Sequence, residues 1–348
     1  WLNGSTWTDI STSLTDATGL FLTAATSVRF LPAANYNGTP GSLTVRLADN
    51  SISAPNNGST VNVSGSNNGG TTAYSSATVS LGTSINAVQD APVLSGGGTL
   101  PAVNEDTSSP AGAALSSLGI TATDVDTGGS IVGYAIVANA ANAATQGVWQ
   151  YSTNSGTNWF AIGTVSDGST ALALSAETLV RFVPVANFNG APSSLTIRAL
   201  DNTYGSSFST TAGSEARVTV NTTTRGTTTA ISGDTATVAT SITALNDAPV
   251  ASGSATLTAV NEDTASPAGS TVSTLFSSNF SDSTDTVSGG SSANSLLGVV
   301  ITANAATAAQ GTWQWLNGST WTNIASSGLA DATGLFLTAA TSVRFLPA

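Results

Sequence analysis

Short stretches in which apolar and polar residues alternate recur along this 348-residue chain. SLTVRLADN (residues 42–50), SLTIRALDN (194–202) and ATVATSITAL (236–245) follow this pattern and are rich in Thr, Val and Ile. Alternation with a period of two and β-branched residues predict strands. The pairs NG, GG, SG and NN fall between such stretches and predict turns. The Ala-rich segments 140–145 and 304–311 are short, and we expect a loop or a single turn there.

Several motifs return at a fixed distance along the chain. NEDT occurs at residues 104–107 and 261–264, which are 157 positions apart, and the same spacing separates QDAPV (89–93) from NDAPV (246–250). A periodic sequence predicts a periodic structure, in which each repeat folds as one unit. We therefore expect a repeat of about 157 residues that runs from one DAPV motif to the next.

This period divides the chain into three parts. Residues 1–90 are expected to be the C-terminal part of one repeat, residues 91–247 a complete repeat, and residues 248–348 the N-terminal part of a third. Residues 1–33 and 315–348 carry the same stretch of the repeat. Both ends of the chain are therefore expected to fall inside a repeat, so that the first and last repeats each lack strands.

Regularly spaced short strands with polar turns favour an all-β fold, specifically a tandem array of β-sandwich domains of the immunoglobulin or cadherin-like kind. The repeat exceeds the roughly 100 residues of a minimal sandwich. Extra hairpins or long loops are therefore expected within it.

Composition narrows the possible chemistry. The chain has no Cys, Met or His, and all seven basic residues are Arg. Zinc ligation by Cys or His, thiol chemistry, Ser-His-Asp triads and lysine Schiff bases are therefore excluded for this chain. The net charge of −12 argues against nucleic acid as a partner. No apolar run approaches the roughly 20 residues that span a bilayer, so no membrane insertion is expected. The lack of Cys is compatible with a secreted bacterial chain.

Aromatic residues mark a predicted hairpin in GTWQWLNGSTWTNI (311–324). Trp313 and Trp315 are expected on one strand face, Asn317-Gly318 forms the turn, and Trp321 is expected to lie back across them. Two interpretations are open: the rings fill a core of mostly small side chains, or they form an exposed platform for a glycan. The equivalent residues of the complete repeat are Trp149, Tyr151 and Trp159.

The arginines occupy repeated positions as well. We expect them to form ion pairs that position strand ends. The residues concerned are Arg29, Arg181 and Arg344 in the VRF segments, and Arg46 and Arg198 before the LADN and ALDN segments.

The acidic residues are concentrated in a few motifs at strand ends or loops near the repeat boundaries. Like charges placed together are costly unless a cation lies among them, and Ca²⁺ accepts six to eight oxygen ligands in irregular geometry. The alternative is that these residues only cap turns and face solvent. The candidate calcium ligands are Asp49, Asp90, Glu105, Asp106, Asp124, Asp126, Asp201, Asp247, Glu262, Asp263, Asp282 and Asp285.

The succession of these motifs resembles a known family. NDAPV followed by NEDT, with PAANYNG and a strand ending in DN upstream, is similar to the tandem cadherin-like and immunoglobulin-like repeats of giant bacterial surface proteins, including the type I-secreted, RTX-type adhesins. The resemblance implies an extracellular stalk, stiffened by calcium, that serves adhesion and biofilm formation. It also implies ligand roles for the linker aspartates, the first-strand glutamates and a DxD pair, which are Asp90, Asp247, Glu105, Glu262, Asp124 and Asp126 in this chain. The linker is shorter than the family's DxNDNAP, its DRE motif is not visible, and SDSTD replaces DxD in the third repeat.

The leading hypothesis from sequence is thus a structural repeat segment of a bacterial extracellular adhesin or surface filament, whose partners are neighbouring repeats of the same protein. The alternatives are glycan-binding modules that use the Trp hairpin, with surface glycans as partners, and a self-assembling fibre or sheath of identical chains. No enzymatic activity is expected, because paired carboxylates that recur in every repeat are poorly explained as an active site.

Overall fold

A computed structural model describes all residues from Trp1 to Ala348. Strands account for 31% of the chain and helices for 5%. The prediction of an all-β chain is thus confirmed.

Two compact units are distinguished in the chain. The first comprises Trp1–Ala91 with the short segments Asp124–Gly129 and Thr227–Thr229, and the second comprises the remaining residues. The segment Asp124–Gly129, which carries the DVD motif, therefore belongs with residues 1–91.

The first unit contains six short strands joined in pairs. β1 pairs with β2, β3 with β5, and β4 with β6, all antiparallel. The strands are β1 (Leu2–Asn3), β2 (Thr6–Trp7), β3 (Gly19–Leu20), β4 (Leu43–Val45), β5 (Thr60–Val61) and β6 (Val79–Leu81).

The second unit begins with the strands of the complete repeat. Its strands are β7 (Val93–Gly96), β8 (Gly98–Thr99), β9 (Val103–Asn104), β10 (Ala113–Ala114), β11 (Thr121–Thr123), β12 (Ile131–Asn139), β13 (Gly147–Ser152), β14 (Phe160–Ala161), β15 (Ala171–Ser175), β16 (Leu179–Pro184), β17 (Leu195–Asp201), β18 (Thr219–Val220), β19 (Ala236–Ala239) and β20 (Ile242–Thr243). They include a four-stranded sheet in the order β10-β16-β13-β14 and a six-stranded sheet in the order β18-β15-β12-β17-β19-β8.

One hydrophobic cluster draws on both of these sheets. Trp149 and Phe182 come from the four-stranded sheet, with ring centroids 5.3 Å apart in an edge-to-face arrangement. Ile136, Leu172 and Ile197 come from the six-stranded sheet, and all five side chains are completely buried. Alternation along each strand therefore supplies one apolar face to a shared core.

The third repeat begins in the same way. Its four-stranded sheet β22-β28-β25-β26 repeats the order of β10-β16-β13-β14, and β24 pairs with β27 as β12 pairs with β15. The elements are β21 (Val250–Ala251), β22 (Ser270–Thr271), helix α1 (Val272–Phe276), β23 (Phe280–Ser281), β24 (Gly298–Ile301), β25 (Gly311–Asn317), β26 (Thr320–Asn323), β27 (Leu335–Thr338) and β28 (Ser342–Pro347).

The Ala-rich segments form turns, as predicted, but helix α1 was not anticipated. It is capped by Thr271, whose hydroxyl oxygen accepts a 3.2 Å hydrogen bond from the Thr274 N–H. A helix of 5 residues is too short to show a 3.6-residue period in the sequence. Its cap residue was the only available signal.

The aromatic hairpin is confirmed, with two corrections. Asn317 pairs with Thr320, so the turn consists of Gly318 and Ser319, one residue later than predicted, and Gly318 adopts a φ of +62° that favours glycine. Trp321 lies opposite Leu316, however, and therefore on the sheet face opposite to Trp313 and Trp315. The three rings do not form one platform.

On the sheet face that carries Trp321, an arginine stacks over the tryptophan ring, and the same contact recurs in each repeat. The guanidinium of Arg29 lies 4.1 Å from the ring centroid of Trp7, and Arg181 with Trp159 and Arg344 with Trp321 show the same distance. The expected ion pairs at Arg29, Arg181 and Arg344 are therefore wrong. A cation–π contact explains their position between apolar residues.

The other two arginines do form the expected ion pairs. Arg46 contacts Asp16 at 2.8 Å, and Arg198 contacts Asp167 at 2.6 Å. The chain thus uses arginine in two distinct ways, in ion pairs at these strands and in ring stacking at the VRF segments.

Candidate metal site at the repeat junctions

Each repeat boundary carries the same hydrogen bond between two acidic residues. The backbone N–H of Asp90 donates to Oδ2 of Asp126 at 2.9 Å, and the backbone N–H of Asp247 donates to Oδ1 of Asp285 at 3.0 Å. Asp90 and Asp126 both belong to the first compact unit, and Asp247 and Asp285 both belong to the second. The structure thus brings the linker aspartate and the second acid of the DxD-type pair together at both boundaries.

At the first boundary, Asp124 has one carboxylate oxygen in use and one without a partner. Its Oδ1 accepts the Asp126 N–H at 2.9 Å, whereas its Oδ2 is buried and makes no hydrogen bond. Gly129 lies against this carboxylate, since a Cβ at that position would be 2.5 Å from Cγ of Asp124. A buried carboxylate oxygen without a donor is unfavourable unless another group satisfies it.

At the second boundary, Glu105 is fixed by two donors. Only 3% of this residue is exposed, and its two carboxylate oxygens accept hydrogen bonds from the Leu245 N–H and from Nδ2 of Asn189, the latter at 2.9 Å. Oδ1 of Asn189 in turn accepts the Ser291 N–H at 2.6 Å. Asn189 therefore links the glutamate of the complete repeat to the beginning of the third.

Asp106, the neighbour of Glu105, is also held by the segment that contains Asn189. Its Oδ1 accepts a 2.8 Å hydrogen bond from the backbone N–H of Asn187. Both residues have positive φ angles, +62° and +59°, which Asp and Asn tolerate better than most residues. The NEDT motif (104–107) thus folds against residues 187–190 (NFNG), the complete repeat's counterpart of the NYNG in PAANYNG, and this contact explains why both motifs recur.

Asp282 holds the loop that follows it. Its Oδ2 accepts the Asn294 N–H at 2.6 Å, and the Asn294 side chain donates to Oδ1 of Asn246 at 3.0 Å. Asp282 and Asp285 are only 6% and 5% exposed. Two acids of the third repeat are consequently buried beside the linker.

The electrostatic surroundings of Asp247 at this second boundary disfavour its ionised form. Loss of hydration raises the pKa of Asp247, and the negative charges of four further acids raise it too. These are Asp106, Asp285, Glu105 and Asp282. Proximity of like charges penalises the ionised form, and a cation would relieve the penalty.

The oxygen atoms at the second boundary are of the kinds that a hard divalent cation prefers as ligands. Carboxylate, amide and carbonyl oxygens are the ligands that Ca²⁺ uses, and Asp247, Asp282, Asp285, Glu105 and Asn189 offer them. In the present geometry no group of three acidic side chains is arranged closely enough to hold one ion. The types of oxygen donor at this boundary therefore suit calcium, whereas the spacing of the acidic side chains in this structure does not form a closed site.

Two of the candidate ligands act as turn caps. Oδ1 of Asp49 accepts the Ser51 N–H at 2.8 Å, and Oδ1 of Asp201 accepts the Thr203 N–H at 2.7 Å. The Ser51 side chain and N–H lower the pKa of Asp49. Such bonds match the alternative interpretation of the acids, in which they cap turns.

Glu262 and Asp263 are exposed and lie apart from this cluster. They repeat the local geometry of Glu105 and Asp106, because Asp263 has the same φ of +62° and Thr264 donates to the Asn261 carbonyl as Thr107 does to Asn104.

Sequence reasoning missed Asn189 and Asn294 as members of the site. Asn189 lies in a motif that was noted only as a marker of the repeat, and it is 2% exposed. An asparagine that recurs immediately before a glycine, as Asn37 and Asn189 do, was the available signal.

The hairpin rings of the complete repeat do not form a glycan platform. Trp149 and Tyr151 are fully buried, and the Trp149 indole N–H donates to the Ser193 carbonyl at 2.9 Å. Trp159 is half-buried beneath Arg181 and packs against Gly112. Core packing therefore accounts for these rings.

Comparisons of the chain with protein-family models, with curated proteins and with solved structures found no match. None of the helices is long and apolar enough to cross a membrane.

Proposed function

We propose that this chain is a structural repeat segment of a bacterial extracellular adhesin or surface filament, built from tandem β-sandwich domains of the cadherin-like kind. Its role is reach and stiffness, and calcium at the repeat boundaries supplies the stiffness. The proposal assigns no catalysis to the chain.

One observation carries the proposal, namely the recurrence of the linker bond. Asp90 with Asp126 and Asp247 with Asp285 make the same contact at successive boundaries. In each case the main-chain N–H of one acidic residue holds the carboxylate of another, so two acids lie close together once per repeat, and a shared cation would explain this recurrence. A single enzyme site does not account for this repetition.

The buried sheets support the structural role. The complete repeat has its own core, and the third repeat starts a separate cluster around Val272, Leu337 and Val343. In tandem arrays the free energy of unfolding is approximately the sum of contributions from each repeat and from each contact between neighbours. The contacts at the boundaries therefore determine how stiffly neighbouring repeats are joined.

Calcium would act at Asp247, Asp282, Asp285 and Glu105 of the second boundary. An ion there links acids of the complete repeat to acids of the third, because Glu105 precedes the linker and Asp282 follows it. The ion thereby opposes bending at the boundary.

Thermal unfolding and small-angle scattering test the proposal. Calcium should raise the melting temperature and lengthen the particle relative to a chelated sample. The variant Asp285→Asn should lose most of this response, and the turn-cap variant Asp201→Asn serves as the matched control that keeps it. Identical melting curves and scattering profiles with calcium and with chelator would remove the calcium role.

A further inference from the structure

The loop before β24 is longer than the loop before β12. Asp126 and Asp285 take the same position at successive boundaries, and so do Gly133 in β12 and Gly298 in β24. The stretch from Asp285 to Gly298 is nevertheless six residues longer than the stretch from Asp126 to Gly133. The third repeat thus has a longer loop at its boundary with the complete repeat, and residues 286–291 of this loop lie against that repeat.

This part of the loop is closed by its own hydrogen bonds. The Val287 N–H donates to the Ser291 carbonyl at 3.1 Å, and the Gly290 N–H donates to the Val287 carbonyl at 3.0 Å. The Ser291 hydroxyl donates to the carbonyl of Asp285. The loop therefore has a defined conformation that does not depend on a bound ion.

Asn189 of the complete repeat makes two hydrogen bonds with Ser291. Its Oδ1 accepts the Ser291 N–H at 2.6 Å, and its Nδ2 donates to the Ser291 hydroxyl oxygen at 2.9 Å. A side-chain amide that donates and accepts at the same residue fixes both the position and the orientation of that residue. Ser291 is consequently held in one orientation against the complete repeat.

The surface that receives the loop is ordered by the complete repeat itself. Gly190 and Ile242 exchange two backbone hydrogen bonds of 2.8 Å, and Ile242 belongs to the hydrophobic core of this repeat. The neighbouring Asn189 is 2% exposed and also donates to Glu105. All of these contacts lie outside the loop, so the surface does not need the loop in order to form.

The loop fits this surface closely. A Cβ on Gly290 would lie 2.1 Å from Oδ1 of Asn189, and a Cβ on Gly190 would lie 2.9 Å from the Gly289 carbonyl oxygen. Two atoms cannot approach so closely without a shift of one of them. Gly290 has no positive φ, so the close approach of Asn189, and not the backbone conformation, requires glycine at this position.

Val287 adds an apolar contact to these hydrogen bonds. It belongs to the third repeat, yet it is half-buried and packs against the hydrophobic core of the complete repeat. Burial of an apolar side chain stabilises such a contact without a metal. Consistent with this, Ser130–Gly226 and Ala230–Ala348 belong to the same compact unit.

We propose that residues 286–291 are a docking segment that joins the third repeat to the complete repeat without a metal ion. The orientation of these two repeats is then fixed in calcium-free solution, and calcium adds to a joint that already exists. The joint consists of two hydrogen bonds, a close glycine contact and a half-buried valine. It therefore stands whether or not calcium binds at this boundary.

Distances between spin labels test the joint in the full chain, because the chain has no native cysteine. Thr237→Cys in β19 and Thr320→Cys in β26 place one label on an exposed residue of each repeat. In chelator we expect a narrow distribution of the distance between the labels. Gly290→Ala should broaden it, because the added methyl group displaces Asn189. Gly168→Ala is the matched control, since its methyl group would meet no atom within 4 Å.

Three results of this experiment would overturn the proposal. One is a broad distribution in chelator for the labelled chain without a glycine substitution. Another is a distribution that Gly290→Ala leaves unchanged, and the third is equal broadening by the two alanine variants. Because calcium is absent throughout, these results do not depend on the proposed calcium role.

Hydrogen exchange in chelator provides an independent test without labels. The Ser291 N–H should exchange at least about fivefold faster in Val287→Ser than in the unmodified chain, because undocking removes its hydrogen bond to Asn189. Exchange in β12 should stay unchanged and reports that the complete repeat remains folded. Val260→Ser, at a valine that is 44% exposed, is the control that should leave Ser291 unaffected. Unchanged exchange at Ser291, or equal acceleration at Ser291 and throughout β12, contradicts the proposal.

Discussion

The backbone N–H of Asp247 donates a 3.0 Å hydrogen bond to the carboxylate of Asp285, and this bond places the Asp247 side chain beside another acid. Loss of hydration raises the pKa of Asp247 most, and the negative charges of the surrounding acids raise it further. An acid whose pKa is raised on folding stabilises the folded state only at low pH, and this contribution disappears as the pH rises through its folded pKa. At neutral pH the ionised Asp247 is therefore disfavoured by its surroundings, above all by the neighbouring negative charges that a substitution can relieve.

Removing the Asp247 charge should relieve its repulsion by the neighbouring acids. In chelator at about pH 7, Asp247→Asn should unfold at a higher temperature than the unmodified chain, because the backbone N–H is retained and the repulsion is not. In calcium the order should reverse, since the variant lacks a ligand. Thermal denaturation in the two buffers measures both orders.

Asp49→Asn is the control for this experiment. The Ser51 side chain and N–H lower the pKa of Asp49, so loss of that charge should leave stability unchanged or reduce it in both buffers. An Asp247→Asn chain that is less stable than the unmodified chain in chelator would contradict the electrostatic account.

Asn189 should contribute strongly to the second boundary. Asn189→Ala removes the donor to the buried Glu105 and the acceptor of the partly buried Ser291 N–H, and it leaves both groups without that partner. A cost of about 1–3 kcal/mol in the free energy of unfolding is expected for each unsatisfied group. Denaturant titration measures it.

The equivalent Asn37 lacks a glutamate partner in the chain, because residues 1–90 contain no NEDT motif. Asn37→Ala should therefore change the free energy of unfolding little. Equal effects of the two substitutions would show that Asn189 acts through its loop alone.

The contribution of the Trp149 hydrogen bond to stability can be measured separately from that of its buried ring. Trp149→Phe keeps an aromatic ring beside Phe182 but removes the N–H that donates to the Ser193 carbonyl, and it should cost about 1–3 kcal/mol. Trp313 makes the same edge contact with Phe345 at 5.1 Å without an equivalent hydrogen bond, so Trp313→Phe should cost less. Chemical denaturation compares the two, and a larger cost at Trp313 would contradict this assignment.

Acid should weaken the complete repeat through Asp167. The hydrogen bonds from Arg198 lower the pKa of Asp167 to about 2, and Thr222 adds to the effect. A lowered pKa stabilises the folded state above the unfolded value of about 3.9, and the contribution is lost as the pH falls through about 2.

Asp167→Asn should therefore flatten the loss of stability between about pH 4 and about pH 2. Asp331 is the equivalent residue of the third repeat and makes no ion pair, so Asp331→Asn should leave that profile unchanged. Unfolding followed at a series of pH values distinguishes the two, and parallel profiles for the unmodified chain and Asp167→Asn would refute the role of the ion pair.

The all-β class and the existence of the aromatic hairpin could be predicted from sequence, because alternation and turn chemistry are local properties. The turn itself lies at Gly318-Ser319, one residue beyond the predicted position. Trp321 lies opposite Leu316, and strand alternation then places it on the face opposite to Trp313 and Trp315, a consequence of the hairpin that the prediction overlooked. Arg181 looked like an ion-pair residue because the sequence does not reveal that Trp159 approaches it.

The candidate site, too, could be predicted from sequence only in part. Spacing along the chain grouped the acids of each boundary, and the Asp90–Asp126 and Asp247–Asp285 contacts agree with that grouping. Asp49 and Asp201 carry the same residue type in repeated motifs, yet their carboxylates bond to Ser51 and Thr203 two positions later. Composition does not distinguish a turn cap from a member of a charge cluster, because both use Asp at strand ends.

The central claim is that calcium binds at the repeat boundaries, and titration calorimetry of the purified 348-residue chain with CaCl₂ after exhaustive chelation tests it most directly. The account predicts saturable binding that Asp285→Asn weakens and Asp201→Asn leaves intact, with magnesium a poor substitute because it demands a stricter geometry. Absence of heat from binding at millimolar calcium, together with an unchanged melting temperature, would contradict it.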